Sequence, residues 1–173
     1  IDGSNTAGGT THDMTIIQTE TTFNPAIHIL NNADNNTVKY CNLQSVATGS
    51  SPEHGVGTVF IGGSTAASGN DNNIIQDCTI GDPTGVRVQY AGVGIYGQSP
   101  TLRNTNNRVS GCEVVNFRSF GITLDSNTLQ TRILKNVIHM TRPSLAMVCT
   151  GIALYEGGPT TTTFIDSNCI YKL

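Results

Sequence analysis

Acidic side chains are the first residues from which chemistry can be asked, and few of them stand in useful places. Asp34, Asp125 and Glu156 each lie in the polar turn after a short apolar strand pattern, and Asp125 and Glu156 fall in successive repeats. Two carboxylates held close together can divide general acid and general base work between them. These two are single in their turns, offset by one position, and lack an obvious arginine placed to serve both, so they are catalytic candidates without a complete set. His12, His28, His54 and His139 share no ligand spacing, and neither CxxC nor HxxxH occurs, so no structural zinc is expected. Asp2-Gly3-Ser4-Asn5 and Asp71-Asn72-Asn73 are rich in oxygen and suit calcium by chemistry, but they lack a repeated ligand count and read as turns. The expectation is no metal and no cofactor, with calcium the one cation these turns would suit.

The bulk composition limits the partners. A chain of 173 residues with a formal net charge of -3 is long enough for one domain and gives no reason to expect nucleic acid. Only 12% of its residues are charged, about half the usual share, whereas Thr, Asn, Ser and Gly are abundant. That balance fits a β-rich extracellular protein whose turns consume Asn, Gly, Ser and Thr. No apolar run approaches the ~18 to 20 residues of a membrane span. The five cysteines are odd in number, and three of them occupy one column of a repeat, which reads as buried, reduced thiols rather than a disulfide framework. The chain opens at Ile1 without Met, basic segment or apolar leader and is expected to be a mature or excised piece.

The elements that must position any site come from a repeat. An aliphatic residue, then Cys or Asn three later, then a second aliphatic two beyond, recurs as Val38, Cys41, Leu43; Ile75, Cys78, Ile80; Val109, Cys112, Val114; Ile133, Asn136, Ile138; and Ile165, Asn168, Ile170. All three columns step together by 37, 34, 24 and 32 residues, as in a solenoid of fixed cross-section with variable loops. Two inward aliphatics five apart cannot share one straight strand face, because side chains alternate with period two. A corner must separate them, with the Cys or Asn turned inward and Asn136 and Asn168 forming a ladder that Cys112, Cys78 and Cys41 continue. Asparagine is also expected to supply any left-handed backbone at that corner. Cysteine is expected to fill the space without needing the amide bonds.

Upstream of each triplet lies a strand opened by a small residue, at Ala26–Ile29, Gly57–Ile61, Gly94–Tyr96, Gly121–Leu124 and Gly151–Leu154. A polar turn such as Asn31–Asn36 follows, so each coil has three short strands and three corners. Strict hexapeptide and leucine-rich solenoids do not fit, since the offsets are too elastic. Longer loops are expected at 44–56, 81–93 and 139–150, all leaving the same corner.

The stretches Asn72-Asn73-Ile74-Ile75-Gln76-Asp77-Cys78-Thr79-Ile80 and Asn106-Asn107-Arg108-Val109-Ser110-Gly111-Cys112-Glu113-Val114 resemble NNTISGNTI-type repeats of secreted bacterial cell-surface proteins. The opening Ile1-Asp2-Gly3-Ser4-Asn5, Gly8-Gly9-Thr10-Thr11 and Asp13-Met14-Thr15-Ile16 is similar to the coil that begins such arrays. Nearly the whole chain resembles the right-handed parallel β-helix of the pectate lyase-like superfamily. The resemblance implies an all-β solenoid of about five to six coils, three short strands per coil, running over 1–173 as one segment of a longer solenoid. It places ligands along the outward side of the glycine-opened strands, at His28, Phe60, Tyr96, Thr123 and Tyr155, with Thr58 and Ala153 in the same neighbourhood. Such aromatic and hydroxyl side chains can stack on sugars and hydrogen-bond to them.

Lyases of that superfamily need clustered carboxylates for calcium and a base, and its hydrolases need two or three close aspartates; neither set is visible. Glu53-His54-Gly55 and Arg132-Ile133 resemble short elements of polygalacturonases but lack their context. The preferred expectation is therefore a non-catalytic module, secreted or at the cell surface, acting as a rod or as an adhesive, carbohydrate-contacting surface. Its partners would be flanking coils or domains of a larger parent, and polysaccharide. Part of a polysaccharide lyase or glycoside hydrolase acting on acidic polysaccharide is the alternative reading, and a viral or phage receptor-binding fibre is a second.

Overall fold

The computed structural model describes residues 1–22, 24–48, 57–63, 68–125, 127–141, 149–155 and 162–173. In chain order its strands are β1 (Met14–Gln18), β2 (Ile27–Ile29), β3 (Thr37–Lys39), β4 (Cys41–Ser45), β5 (Val59–Gly62), β6 (Ile74–Gln76), β7 (Thr79–Ile80), β8 (Gln89–Tyr96), β9 (Asn104–Thr105), β10 (Arg108–Ser110), β11 (Glu113–Val115), β12 (Phe117–Leu124), β13 (Thr128–Leu129), β14 (Arg132–Leu134), β15 (Val137–His139), β16 (Thr150–Leu154), β17 (Phe164–Asp166) and β18 (Cys169–Tyr171). Three parallel sheets collect them: a first of β2, β5, β8, β12 and β16, a second of β3, β6, β10, β14 and β17, and a third of β1, β4, β7, β11, β15 and β18. The short strands β9 and β13 pair separately. There is no helix among the described residues, and consecutive strands of the chain enter different sheets, which is consistent with a parallel β-solenoid.

The triplet columns stack in register. Val38, Ile75, Val109, Ile133 and Ile165 face one another along the second sheet. Ile16, Leu43, Ile80, Val114, Ile138 and Ile170 do so along the third. With Val59, Ile61, Val93, Ile95, Ile122 and Leu124 of the first sheet, the residues of these columns up to Ile133 and Ile138 make one continuous core. The last coil leaves Leu154, Ile165 and Ile170 exposed.

The corner works differently from the expectation. The left-handed residue is the one before the inward side chain: Tyr40 (φ 55°), Asp77 (49°), Gly111 (66°), Lys135 (56°) and Ser167 (56°). Freed from that task, the next residue turns in and spans two coils. Asn136 Oδ1 accepts Cys112 N at 3.0 Å, and Asn168 Oδ1 accepts Asn136 N at 2.9 Å. Their amide nitrogens donate backwards, Asn136 Nδ2 to Val109 O at 3.1 Å and Asn168 Nδ2 to Ile133 O at 2.9 Å. The cysteines keep the donating half of this scheme, with Cys78 Sγ on Val38 O and Cys112 Sγ on Ile75 O, both at 3.7 Å. They have no oxygen to offer the neighbouring backbone.

The same device recurs at the corner between the first and second sheets. Asn35 (φ 59°), Asn72 (57°), Asn106 (55°) and Gln130 (54°) are left-handed there. Behind them, Asn73 Oδ1 accepts Asn36 N at 2.9 Å and Asn107 Oδ1 accepts Asn73 N at 2.8 Å. Three residues earlier, Asn70 Oδ1 takes Ala33 N at 3.1 Å and Asn104 Oδ1 takes Asn70 N at 2.9 Å.

Between the third sheet and the first, size decides. A Cβ added at Gly92 would lie 2.3 Å from Val114 Cγ1; at Gly121 it would lie 2.5 Å, and at Gly151 2.6 Å, from the Cγ2 atoms of Ile138 and Ile170. Thr58 occupies the corresponding place one coil earlier, fully buried, with no hydrogen-bond partner for its hydroxyl. The strands after these positions are longer than expected: β8 begins at Gln89 and β12 at Phe117, which shortens the 81–93 loop to about eight residues, and Gln44 and Ser45 complete β4. Residues 49–56 and 142–148 of the other two loops lie outside the described residues.

Two stability measurements follow from this cross-section. Asn107→Ala and Asn136→Ala each strand a buried backbone N–H and should cost about 1–3 kcal/mol in urea unfolding, and an unchanged midpoint would contradict the ladder. Thr58→Val keeps the shape and removes an unpaired hydroxyl, so it should raise stability by about 1 kcal/mol.

Candidate functional site

The outward face of the first sheet gathers the expected ligand residues. His28, Phe60, Gly94, Thr123 and Ala153 face one another in register along β2, β5, β8, β12 and β16, and Tyr96 pairs with Gly62 in the next row. Aromatic rings fill the space above this row. His28 and Phe60 have centroids 5.2 Å apart, and Tyr96 meets Phe60 edge-on at 5.6 Å. A second string runs beside the first, with Phe120 edge-on to Tyr90 at 5.8 Å and to Tyr155 at 5.9 Å. Edge-to-face geometry at these distances is the favourable arrangement for aromatic pairs.

Burial divides the five candidates. Phe60 and Thr123 are 0% exposed, so they form the floor of the array and offer no surface to a ligand. Tyr155 is 52% exposed, and His28 and Tyr96 are half-buried, so these three carry the accessible part. Tyr90 and Phe120 belong to the array although the sequence reading omitted them. Their signal was the apolar alternation that continues upstream of Gly92 and Gly121, through Gln89-Tyr90-Ala91 and Phe117-Arg118-Ser119-Phe120. A register shift between Phe117 and Phe120 brings Phe120 opposite Ala91, which period-two counting does not anticipate.

Electrostatics on this face is mild. Burial pushes the Tyr96 phenol above its ordinary range, and the Asp125 carboxylate adds to the shift. Burial also lowers the His28 imidazole, against an opposing contribution from the Gly62 backbone, and His28 Nε2 is enclosed without a hydrogen-bond partner. Of the two acidic candidates, Asp125 ends β12 half-buried, its backbone N–H donating to Ile95 O and its carbonyl accepting from Thr128 Oγ1. Glu156, like His54 and Glu53, lies outside the described residues.

The remaining chemical groups sit elsewhere. Asp2 accepts from Ser4 and pairs with Lys39 at 2.9 Å, and these bonds hold its carboxyl down at about 2. Asp71 Oδ1 accepts Thr105 N at 2.7 Å, so both oxygen-rich turns use their carboxylates to bind their own chain. Among the described residues no three His, Cys, Asp or Glu side chains gather as metal ligands would. All five cysteines are free thiols. Burial raises Cys41 to about 11 and, with the neighbouring Cys78, lifts Cys112 well above the usual range, which leaves both unsuited to nucleophilic work. His139 bonds Glu113 at 2.9 Å and stacks flat on Tyr171 at 4.8 Å. No described helix is long and apolar enough to cross a membrane.

No family model, curated protein or solved structure matches this chain.

The His28 site yields a pH test. Its folded pKa lies below the ordinary 6.5, so its contribution to stability is complete above 6.5 and is lost as pH falls through the lower folded value. An NMR titration should give a midpoint below 6.5, and His28→Asn should flatten the stability curve below pH 6.5. A midpoint at or above 6.5 would contradict the enclosed ring.

Proposed function

We propose that this chain is a non-catalytic module of a right-handed parallel β-helix, built of about five to six coils as in the pectate lyase-like superfamily, and that the outer face of its first sheet contacts carbohydrate. It would work outside the cell or at the cell surface. The observation that carries this reading is the aromatic array itself. Six rings, those of His28, Phe60, Tyr90, Tyr96, Phe120 and Tyr155, lie on one face, three of their contacts edge to face and that of His28 with Phe60 tilted, with Tyr155 presenting half its surface to solvent. Rigid rings with a polar tip lose little entropy on binding and stack on the apolar faces of sugars. The partners proposed with this function are polysaccharide and flanking coils of a larger protein, the latter supported by the exposed Leu154, Ile165 and Ile170.

Calorimetric titration of the whole chain against a panel of neutral and acidic polysaccharides tests the proposal. Tyr155→Ala should weaken binding about two- to tenfold while leaving the melting temperature in place. Binding that ignores Tyr155 and Tyr96 would remove the aromatic face from consideration. New reducing ends or unsaturated products, abolished by Asp125→Asn, would replace the non-catalytic reading with that of a hydrolase or lyase.

A further inference from the structure

The outward row of the second sheet runs Thr37, Ile74, Arg108, Arg132, Phe164 in register, so two arginines face each other on adjacent strands. Like charges placed directly opposite work against the sheet. The two side chains answer by leaving in opposite directions. Arg108 Nη2 donates to Gln76 Oε1 at 2.8 Å on one side, and the Arg132 guanidinium lies 5.8 Å from the Phe164 ring centre on the other. Neither is among the ion pairs of the described residues, which join Lys39 to Asp2, Arg87 to Asp82 and His139 to Glu113. Arg108 Nε is shielded from solvent and makes no hydrogen bond.

Beside these arginines lies an open cleft of about 340 Å³, lined by Asn35, Asn72, Ile74, Asn106, Arg108 and Arg132. Its three asparagines are the exposed left-handed residues of successive coils. Asn106 Nδ2 donates to Asn72 Oδ1 at 2.8 Å, while the Asn35 carboxamide has no partner among the described residues. The carboxylates at the same corner are turned to backbone: Asp34 Oδ1 accepts Asp71 N at 2.6 Å, and Asp71 Oδ1 accepts Thr105 N at 2.7 Å.

We propose that this cleft binds a sulfated saccharide, with sulfate esters held separately by Arg108 and by Arg132 and the sugar hydroxyls by Asn35, Asn72 and Asn106. A guanidinium is weakly hydrated and presents its donors as a fork, which suits oxyanions. A sulfate ester has three terminal oxygens, enough to accept from one fork and still reach a carboxamide, whereas one fork fills the two oxygens of a carboxylate. Carboxamides offer a donor and an acceptor together, the pair a hydroxyl needs. Two cations in a chain of net charge -3 are too few to hold nucleic acid. The cleft belongs to the second sheet, so it stands independently of the aromatic face of the first.

The test titrates the whole chain with a heparin hexasaccharide, the same hexasaccharide after desulfation, sodium sulfate and a hexaglutamate peptide. The sulfated sugar should bind, weaken as salt rises, and lose about tenfold or more in Arg108→Gln and in Arg132→Gln. Arg132→Lys, which keeps the charge and removes the fork, should also weaken it, and thermal melts of each variant should match the parent. Tyr155→Ala should leave this binding unchanged, which separates it from binding at the aromatic face. Equal affinity for the desulfated sugar overturns the sulfate assignment, and equal affinity for sodium sulfate or hexaglutamate overturns the saccharide. Binding indifferent to both arginines overturns the site.

Discussion

Where a parallel strand ends and the chain turns, its last backbone N–H groups lose the neighbouring strand that would accept them, and burial makes that loss costly. In this protein the missing acceptor is a carboxamide from the adjoining coil. Asn73, Asn107, Asn70, Asn104, Asn136 and Asn168 each place Oδ1 on a backbone nitrogen one coil away, at 2.8 to 3.1 Å. Their Nδ2 groups donate to oxygens of neighbouring coils, so each side chain both accepts and donates across coils. Coil spacing, corner shape and strand register all follow from those bonds. A corner built otherwise would leave orphaned donors inside the rod.

That bond explains the residue placed before it. A side chain can turn into the core directly after a corner only if the preceding residue reverses the chain, and the left-handed conformation does so within one residue. Tyr40, Asp77, Gly111, Lys135 and Ser167 have nothing in common except φ between 49° and 66°. Non-glycine residues hold that conformation at a cost of about 1–2 kcal/mol, which the bonds on either side offset. The third corner has one such carboxamide, Asn116, which accepts Thr141 N at 2.9 Å and donates to Asp82 O at 2.7 Å, and is otherwise governed by volume. Gly92, Gly121 and Gly151 lie against Val114, Ile138 and Ile170, so β8, β12 and β16 pass close to the third sheet at these positions.

The legible part of the molecule is the part with a repeated chemical demand. Val109, Cys112 and Val114 could be aligned with Ile133, Asn136 and Ile138 because inward columns accept only aliphatic, thiol or carboxamide side chains. The left-handed column was illegible, because its requirement falls on backbone torsion and any side chain can hang into solvent there. Phe120 was illegible for another reason: the shift between Phe117 and Phe120 breaks the alternation from which outward residues are counted. Phe60 and Thr123 were correctly placed on the outer face, yet outward does not mean exposed, since neighbouring rings roof them over. The His28, Phe60, Tyr96 neighbourhood was therefore visible as a row but not as a surface.

A solenoid of this kind gives a way to separate structure from function by asking what the cross-section would do without each residue. The inward columns and the carboxamides fail that test, since removing any of them opens the core. The outward row of the second sheet passes it. Nothing in the strand pairing asks for Arg108 opposite Arg132, and that pairing has to be relieved by Gln76 on one coil and Phe164 on another. The aromatic array on the first sheet is similar in kind. Tyr155 keeps half its surface in water although a smaller polar residue could follow β16 as well. Residues that the fold tolerates rather than requires are where a partner must be sought, and here they lie on two different faces of one rod.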